Sequence, residues 1–415
     1  MLLSINKFKA LMKRGLLQLL LERLMLRATY WVSWNTKYRP TSVADICEVH
    51  AGVEVDRIQE QVVSRLRLPR PFYDVMLNKG YDAADVSESV VEMHSTPEDF
   101  IVAKLKGGRV YSDNLKTSAI ITSDGGLLSG VSFQYVGESV SEASSQIFKQ
   151  CFFKTPTHVE GTVFVMLAGG LSGRGNYYHW LIDILPRLYL LQQSRFSGKI
   201  DKYLVPQFDR EFQKTSLRLM GVRDDQVIVC TPFTHLSCRD LVVASHPRGR
   251  RSLLVPDWVF NFYAEFKLKL IDRQQHYAKR IYITRKDSNL RGVYDEDRLI
   301  SYLAQFGFEP VTLAEHDFDK KVNIFHAAEY IISQHGAGLT NLLFANEGCK
   351  LLELFSEGFV NPVLLNLAER RKVDYYYLIF NHQNAAHEDA KGQYEDLFVD
   401  YIAMERTLKV MLCNQ

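Results

Sequence analysis

From residue 279 onward the chain switches regularly between two hydrophobic periods. "KRIYITR" (279–285) is a continuous β-branched and aromatic run, whereas "DEDRLISYLAQFGF" spaces Leu299, Ile300, Leu303 and Phe306 for one helical face behind an acidic first turn. "EPVTL" then reads as strand, "DKKVNIFHAA" as helix, "EYIIS" as strand, "GLTNLLFA" as helix, "CKLLELF" as strand, "NPVLLNLAERRK" as helix and "VDYYYLIF" as strand. Such alternation predicts a mostly parallel sheet with helices on both faces.

Upstream the same grammar is noisier. "TVFVMLAG" (162–169), "KYLVP", "QVIVC" and "DLVVAS" read as strands and "FQKTSLRLMGV" as a helix, while "SDGG" between β-favouring stretches predicts a turn. The Gly- and Pro-punctuated "HPRGRR" (246–251) is the expected boundary between two α/β units, followed by a helix from about Asp257. The expected organisation is therefore a helical or irregular region over 1–90, an α/β unit over 91–250, a second over 251–390 and a closing helix over 391–415.

One segment breaks the apolar pattern. In "GNYYHWLIDILPRLYLL" (175–191), Asn176, His179, Asp183 and Arg187 recur at spacings of three and four, so a helix aligns them on one face while Trp180, Ile184, Leu188 and Leu191 line another. Pro186 removes an N–H inside that run and predicts a kink or an early end just after Asp183.

Composition narrows the partners. With 50 Lys and Arg against 48 Asp and Glu over 415 residues, net charge gives no argument for nucleic acid. The six cysteines carry no C-x-x-C pair and read as reduced thiols of an intracellular chain. The first 34 residues interleave Lys7, Lys9, Lys13, Arg14, Arg23 and Arg27 with leucines, and their apolar runs are too short to span a bilayer. The expectation is a cytoplasmic protein whose basic N-terminal helix either packs on the domain or touches the inner membrane face peripherally.

Loops that follow strands are where ligands bind in open parallel sheets. After "EYIIS", His335-Gly336-Ala337-Gly338 opens a helix, where backbone N–H groups and the helix dipole suit a phosphate. Arg285, Lys286 and Arg291 follow another strand and offer cations for a diphosphate. Glu353 interrupts an apolar strand where an acceptor for ribose hydroxyls would sit. No G-x-G-x-x-G supports a dehydrogenase, and no G-x-S-x-G supports a serine hydrolase. The acidic pairs in "DED" (295–297) and "DFD" (317–319) read as helix-start residues, and the histidines show no H-x-x-x-H spacing, so no metal site is expected.

"NYYHWLIDILPRL" together with "YITR…R…SQHGAGLTNLLFANEGCKLLEL" resembles the signature blocks of glycosyltransferase family 61. The resemblance implies an α/β fold of GT-B type, with two Rossmann-like domains facing across a cleft, and an inverting, metal-independent transfer from a nucleotide diphosphate sugar, a UDP-sugar being favoured, without another cofactor. It places Arg285, Arg291, His335, Gly336, Ala337, Gly338 and Glu353 at the donor, where the charge of Lys286 is expected to join them, and Asn176, His179 and Asp183 in an N-x-x-H-W-x-x-D block. His179 and Asp183 are the expected catalytic pair, either of them the base, and Asn176 is expected to bind substrate. The implied enzyme is a hexosyl- or pentosyltransferase acting on a glycan or lipid-linked acceptor in surface polysaccharide (capsule) biosynthesis. The alternative is a catalytically silent nucleotide-binding scaffold of the same fold.

Overall fold

The computed structural model describes residues 35–48, 50–61, 65–72, 74, 86–87, 90–92, 97–113, 117–134, 145–168, 175–198, 200–248, 254–288, 291–380 and 396–413. The basic N-terminal segment, and with it the membrane-contact expectation, lies outside them. No helix among the described residues is long and apolar enough to cross a membrane.

The second half folds as its periodicity predicts. Five parallel strands pair in the order Glu309–Val311, Arg280–Ile283, Tyr330–Gln334, Lys350–Ser356, Asp374–Phe380, which is 2-1-3-4-5 in chain order. In a sheet of this order the connections leave in opposite directions from the first and third strands, so a crevice opens beyond their carboxyl ends. Arg285 and His335 both stand at that point. Helices Glu296–Ala304, Phe318–Ala327 and Val363–Arg370 connect the strands, and Tyr401–Cys413 packs its buried Met404, Leu408 and Met411 against the sheet.

The first half is a mixed sheet. Thr157–Val165 lies between Lys202–Val205 and Thr234–Ala244, parallel to both, and Val227–Val229 extends the parallel set beyond Lys202–Val205. On its other side Thr234–Ala244 pairs antiparallel with Pro97–Lys106 and Arg109–Ser112. Val53–Gln61 pairs antiparallel along its whole length with residues 97–105. That nine-residue strand falls in the stretch expected to be helical or irregular: its apolar Val53 and Val55 alternate with charge, a short signal that the surrounding polar residues obscure.

The two halves share a core. One continuous apolar cluster runs from Phe164, Trp180 and Leu181 through Trp258, Tyr263 and Phe266 to Phe318, Phe344 and Phe355. The helix Asp257–Leu268 supplies its middle, with Tyr263 edge-on to Phe344 and Phe266 edge-on to Phe318. At its edge, Glu211 Oε2 accepts from Phe318 N at 3.0 Å, so a first-half helix caps one in the second.

A separate buried knot holds the mixed sheet. His235 is bonded through Nδ1 to Lys154 O at 2.7 Å and lies with Nε2 2.9 Å from Arg109 Nη1. Burial, with the Arg109 cation beside it, pushes His235 down to about 4. Its unfolded value is ~6.5, so between those limits the unfolded chain binds more protons and stability rises with pH. Thermal or denaturant midpoints are expected to fall as pH is lowered from 7 to 5. His235→Gln should be less stable at pH 7, with a slope shallower by up to about 1.4 kcal/mol per pH unit; an unchanged slope would contradict the assignment.

Candidate active site

The polar stripe forms on a helical run of unusual pitch. Tyr177–His179 starts as α-helix, Trp180–Ile184 widens to a π turn in which Leu185 N bonds Trp180 O at 2.9 Å, and Arg187–Gln193 resumes the α-helix behind Pro186. Pro186 breaks the ladder where the sequence predicts. The kink comes as a wide turn because side chains satisfy the carbonyls there: Tyr263 OH donates to Leu181 O at 2.5 Å and Arg187 Nε to Asp183 O at 2.9 Å. Arg187, fully buried, also donates from Nη1 to Ala244 O at 2.7 Å and so ties the turn to the end of a strand.

Within that turn His179 Nδ1 lies 2.6 Å from Asp183 Oδ2. A carboxylate only accepts, so Nδ1 carries the proton and the neutral ring keeps its lone pair on Nε2. Asp183 is 2% exposed, and its other partners come from "HPR" at the end of the strand Thr234–Ala244. Arg248 Nε is 2.8 Å from Oδ1 and Nη2 3.0 Å from Oδ2, with His246 Nε2 3.6 Å from Oδ1. Burial alone would raise the Asp183 carboxyl, but Arg248, His246 and His179 outweigh it and hold it well below the usual carboxylate range. Burial pushes His246 the other way, down to about 3, against the attraction of Asp183.

Asn176 is the helix N-cap. Its Oδ1 accepts from Tyr178 N at 2.9 Å and His179 N at 3.3 Å, which commits that atom to the backbone rather than to substrate.

At the second group, His335 Nδ1 donates to Glu353 Oε1 at 2.6 Å and Tyr375 OH donates to Oε2 at 2.6 Å. Glu353 is 0% exposed. With both oxygens so engaged it orients His335 instead of facing a ribose, which differs from the sequence expectation. The strand is buried on both faces, so an acid in it has to find internal partners. His335 stacks on Phe355 and meets Phe359 edge-on.

Arg285 and Arg291 come together beside this histidine. Arg285 Nη2 donates to Ser288 Oγ at 2.9 Å, and its guanidinium lies where a Cβ on Gly336 would meet Nη1 at 2.7 Å. Arg291, in the left-handed region at φ 54, lies with Cζ 4.9 Å from the centre of the Phe359 ring. Burial, with Arg285 close by, pushes its guanidinium down to about 10 against the pull of Glu353. Arg291 Nε and Gln334 Oε1 are buried without a hydrogen-bond partner among the described residues. Lys286 is elsewhere: Nζ pairs with Asp297 Oδ1 at 2.6 Å on the exposed surface.

Gly336, Ala337 and Gly338 open a 3-10 helix, Ala337–Phe344, rather than an α-helix. Gly336 is extended, so here glycine serves close approach: a Cβ would strike Arg285 at residue 336 and Leu313 at residue 338, each at 2.7 Å. The two groups of site residues adjoin through Tyr177, whose hydroxyl donates to Asn341 Oδ1 at 2.7 Å. Among the described residues no group of three or more His, Cys, Asp or Glu is arranged to hold a metal ion.

His246 and Arg248 are the site residues that sequence reasoning passed over. They follow a parallel strand, the position where ligand-binding loops occur, but their Gly and Pro punctuation reads equally as a linker.

Two carboxylate-oriented histidines and two guanidiniums thus stand close to strand ends of an α/β fold. Residues 177–352 match the family model described as Glycosyltransferase 61, so the resemblance carried by the two sequence blocks holds over that stretch. The match takes in His179, Asp183, His246, Arg248, Arg285, Arg291 and His335, and leaves Asn176 and Glu353 just outside its ends. A curated relative, the EGF domain-specific O-linked N-acetylglucosamine transferase of Bos taurus, is 26% identical over 259 residues, covering 57% of this chain and 48% of the relative. The chain thus spans about half the length of the curated relative it matches. Both similarities support glycosyl transfer in general.

Asn176→Ala should cost about 1 kcal/mol of stability through the lost cap, and Asn176→Ser should restore most of it. Denaturant unfolding checks the pair; a stable Ala variant that instead loses substrate affinity would return Asn176 to a binding role.

Proposed function

We propose that the protein is an inverting glycosyltransferase that moves a hexosyl or pentosyl group from a nucleotide diphosphate sugar, with UDP-sugars favoured, to a glycan or lipid-linked acceptor. The observation that carries this reading is the pair of half-buried guanidiniums, Arg285 and Arg291, set beside a carboxylate-oriented histidine at the switch point of a 2-1-3-4-5 parallel sheet. Two cations held that close favour an anion between them, and a diphosphate matches their donor geometry.

In this reading His179 Nε2 accepts the proton of the acceptor hydroxyl as that oxygen attacks the anomeric carbon. The bond from the anomeric carbon to the diphosphate oxygen breaks on the opposite face, the nucleoside diphosphate departs with that electron pair, and the sugar is left on the acceptor oxygen with inverted configuration. Arg285, Arg291 and the backbone N–H groups of Gly336, Ala337 and Gly338 take up the charge of the departing diphosphate, with His335 beside them. The same reading divides the chain into an acceptor-side unit over 91–250 and a donor-side unit over 251–390 in a GT-B arrangement. It assigns the activity to the cytoplasmic side of a surface-polysaccharide pathway, with no resident cofactor or metal.

The test is donor hydrolysis and transfer with a panel of nucleoside diphosphate sugars. His179→Ala should lower kcat by at least about 10²-fold while leaving UDP affinity near that of the parent. Arg291→Ala should weaken UDP binding by about tenfold or more, as loss of a charge-assisted contact does. Near-normal transfer by folded His179→Ala would overturn the catalytic assignment. UDP binding without turnover of any donor would point to the silent scaffold instead.

A further inference from the structure

We propose that Arg248 is a positioning residue that holds Asp183 as a fixed anion and confines proton acceptance to Nε2 of His179. The inference rests on the transfer reading above and narrows which member of the pair is the base.

The geometry leaves Asp183 little room for another role. Arg248 occupies both carboxylate oxygens as a fork, His179 shares Oδ2 and His246 approaches Oδ1, so the lone pairs are committed inside the protein. A base must come within hydrogen-bond reach of the proton it takes. Asp183 is 2% exposed, whereas the His179 side chain is 23% exposed. An acceptor hydroxyl can therefore approach the histidine but not the carboxylate behind it.

The groups facing Asp183 come from three elements. His179 and Arg187 share its helical run, His246 and Arg248 follow the strand Thr234–Ala244, and Tyr263 arrives from the helix Asp257–Leu268. Arg187 spends its donors on Asp183 O and Ala244 O, and Tyr263 donates to Leu181 O. Arg248 is thus the arginine whose guanidinium bonds the carboxylate itself. Pro247 restricts the backbone immediately before it, and the Arg187 bond to Ala244 O anchors the strand end from which it extends.

The fork does two separable things: its charge keeps the carboxylate ionised, and its shape fixes where Oδ2 meets Nδ1. Arg248→Lys retains the charge and loses the shape; Arg248→Gln loses the charge.

In the full chain, Arg248→Gln should lower kcat roughly 10²-fold with donor KM within about threefold of the parent, the pattern of a misplaced base. The acid limb of its pH–rate profile should move to higher pH, because withdrawing a cation favours the protonated pair. Arg248→Lys should lower kcat by a smaller factor, about tenfold, with the acid limb in place. A readout independent of turnover is acylation of His179 by diethyl pyrocarbonate across pH, followed by mass spectrometry of its peptide. The pH of half-maximal acylation should rise in Arg248→Gln and stay in Arg248→Lys. An unchanged acylation profile in Arg248→Gln would overturn the proposal, and so would a donor KM that rises in step with the loss of kcat. Should Arg248→Gln fail to fold, Arg248→Lys decides alone: a kcat equal to the parent's sinks the positioning role. If the acylation profile moves as expected but no donor is turned over, Arg248 keeps its role and the sugar-transfer reading falls.

Discussion

A carboxylate buried to 2% exposure is the constraint around which the first site is organised. Taking one ionised group out of water costs several kcal/mol unless cations and donors replace the solvent, and breaking such a set by removing one member is more damaging than never having built it. Asp183 meets that cost with His179 and Arg248, which sit in two segments more than sixty residues apart. Their convergence fixes the wide turn of 180–184 against the end of the strand 234–244, and Tyr263 carries the same arrangement into the shared core. The packing of the central helices and the electrostatics of the site are one problem with one solution.

The chain solves a similar problem twice. Glu353, fully buried, is met by His335 and Tyr375, and as at Asp183 the carboxylate fixes the proton on Nδ1. The partners differ in sign: Asp183 is embraced by a guanidinium, whereas Glu353 is satisfied on one side by a neutral phenol. Tyr177 and Asn341 join the two arrangements, so each histidine is set by its own buried acid on elements that abut.

How far the sequence discloses this depends on the range of the interaction. The five-strand sheet was legible because its strands and helices announce themselves by period, and the i, i+4 spacing of His179 and Asp183 was legible because helix geometry brings such residues together. Asn176 was half legible: Asn before a helix is a cap signal, but the polar stripe invited a grander role. The acid in "KLLELF" was read as facing a ligand because nothing local says that residues 335 and 375 will reach it. Arg248 was invisible for the same reason. A partner that arrives from a different strand end leaves no periodic trace, and "HPRGRR" resembles punctuation until the sheet places it.

The glycines of HGAG show how magnitude alters a motif's meaning. Read as a phosphate cradle, the loop would draw its strength from a helix N-terminus, which contributes about 0.3–1 kcal/mol at an exposed site and depends on aligned peptide dipoles. Here the helix is an eight-residue 3-10 segment with poorer hydrogen-bond geometry than an α-helix. Two half-buried arginines adjoin it, and hydrogen bonds to charged groups are worth roughly 1.5–3 kcal/mol each. For the anion site proposed above, the guanidiniums therefore outweigh the dipole as the source of affinity. Gly336 has no Cβ, and a methyl group there would displace the tip of the Arg285 side chain at Nη1. The motif makes room for the Arg285 guanidinium.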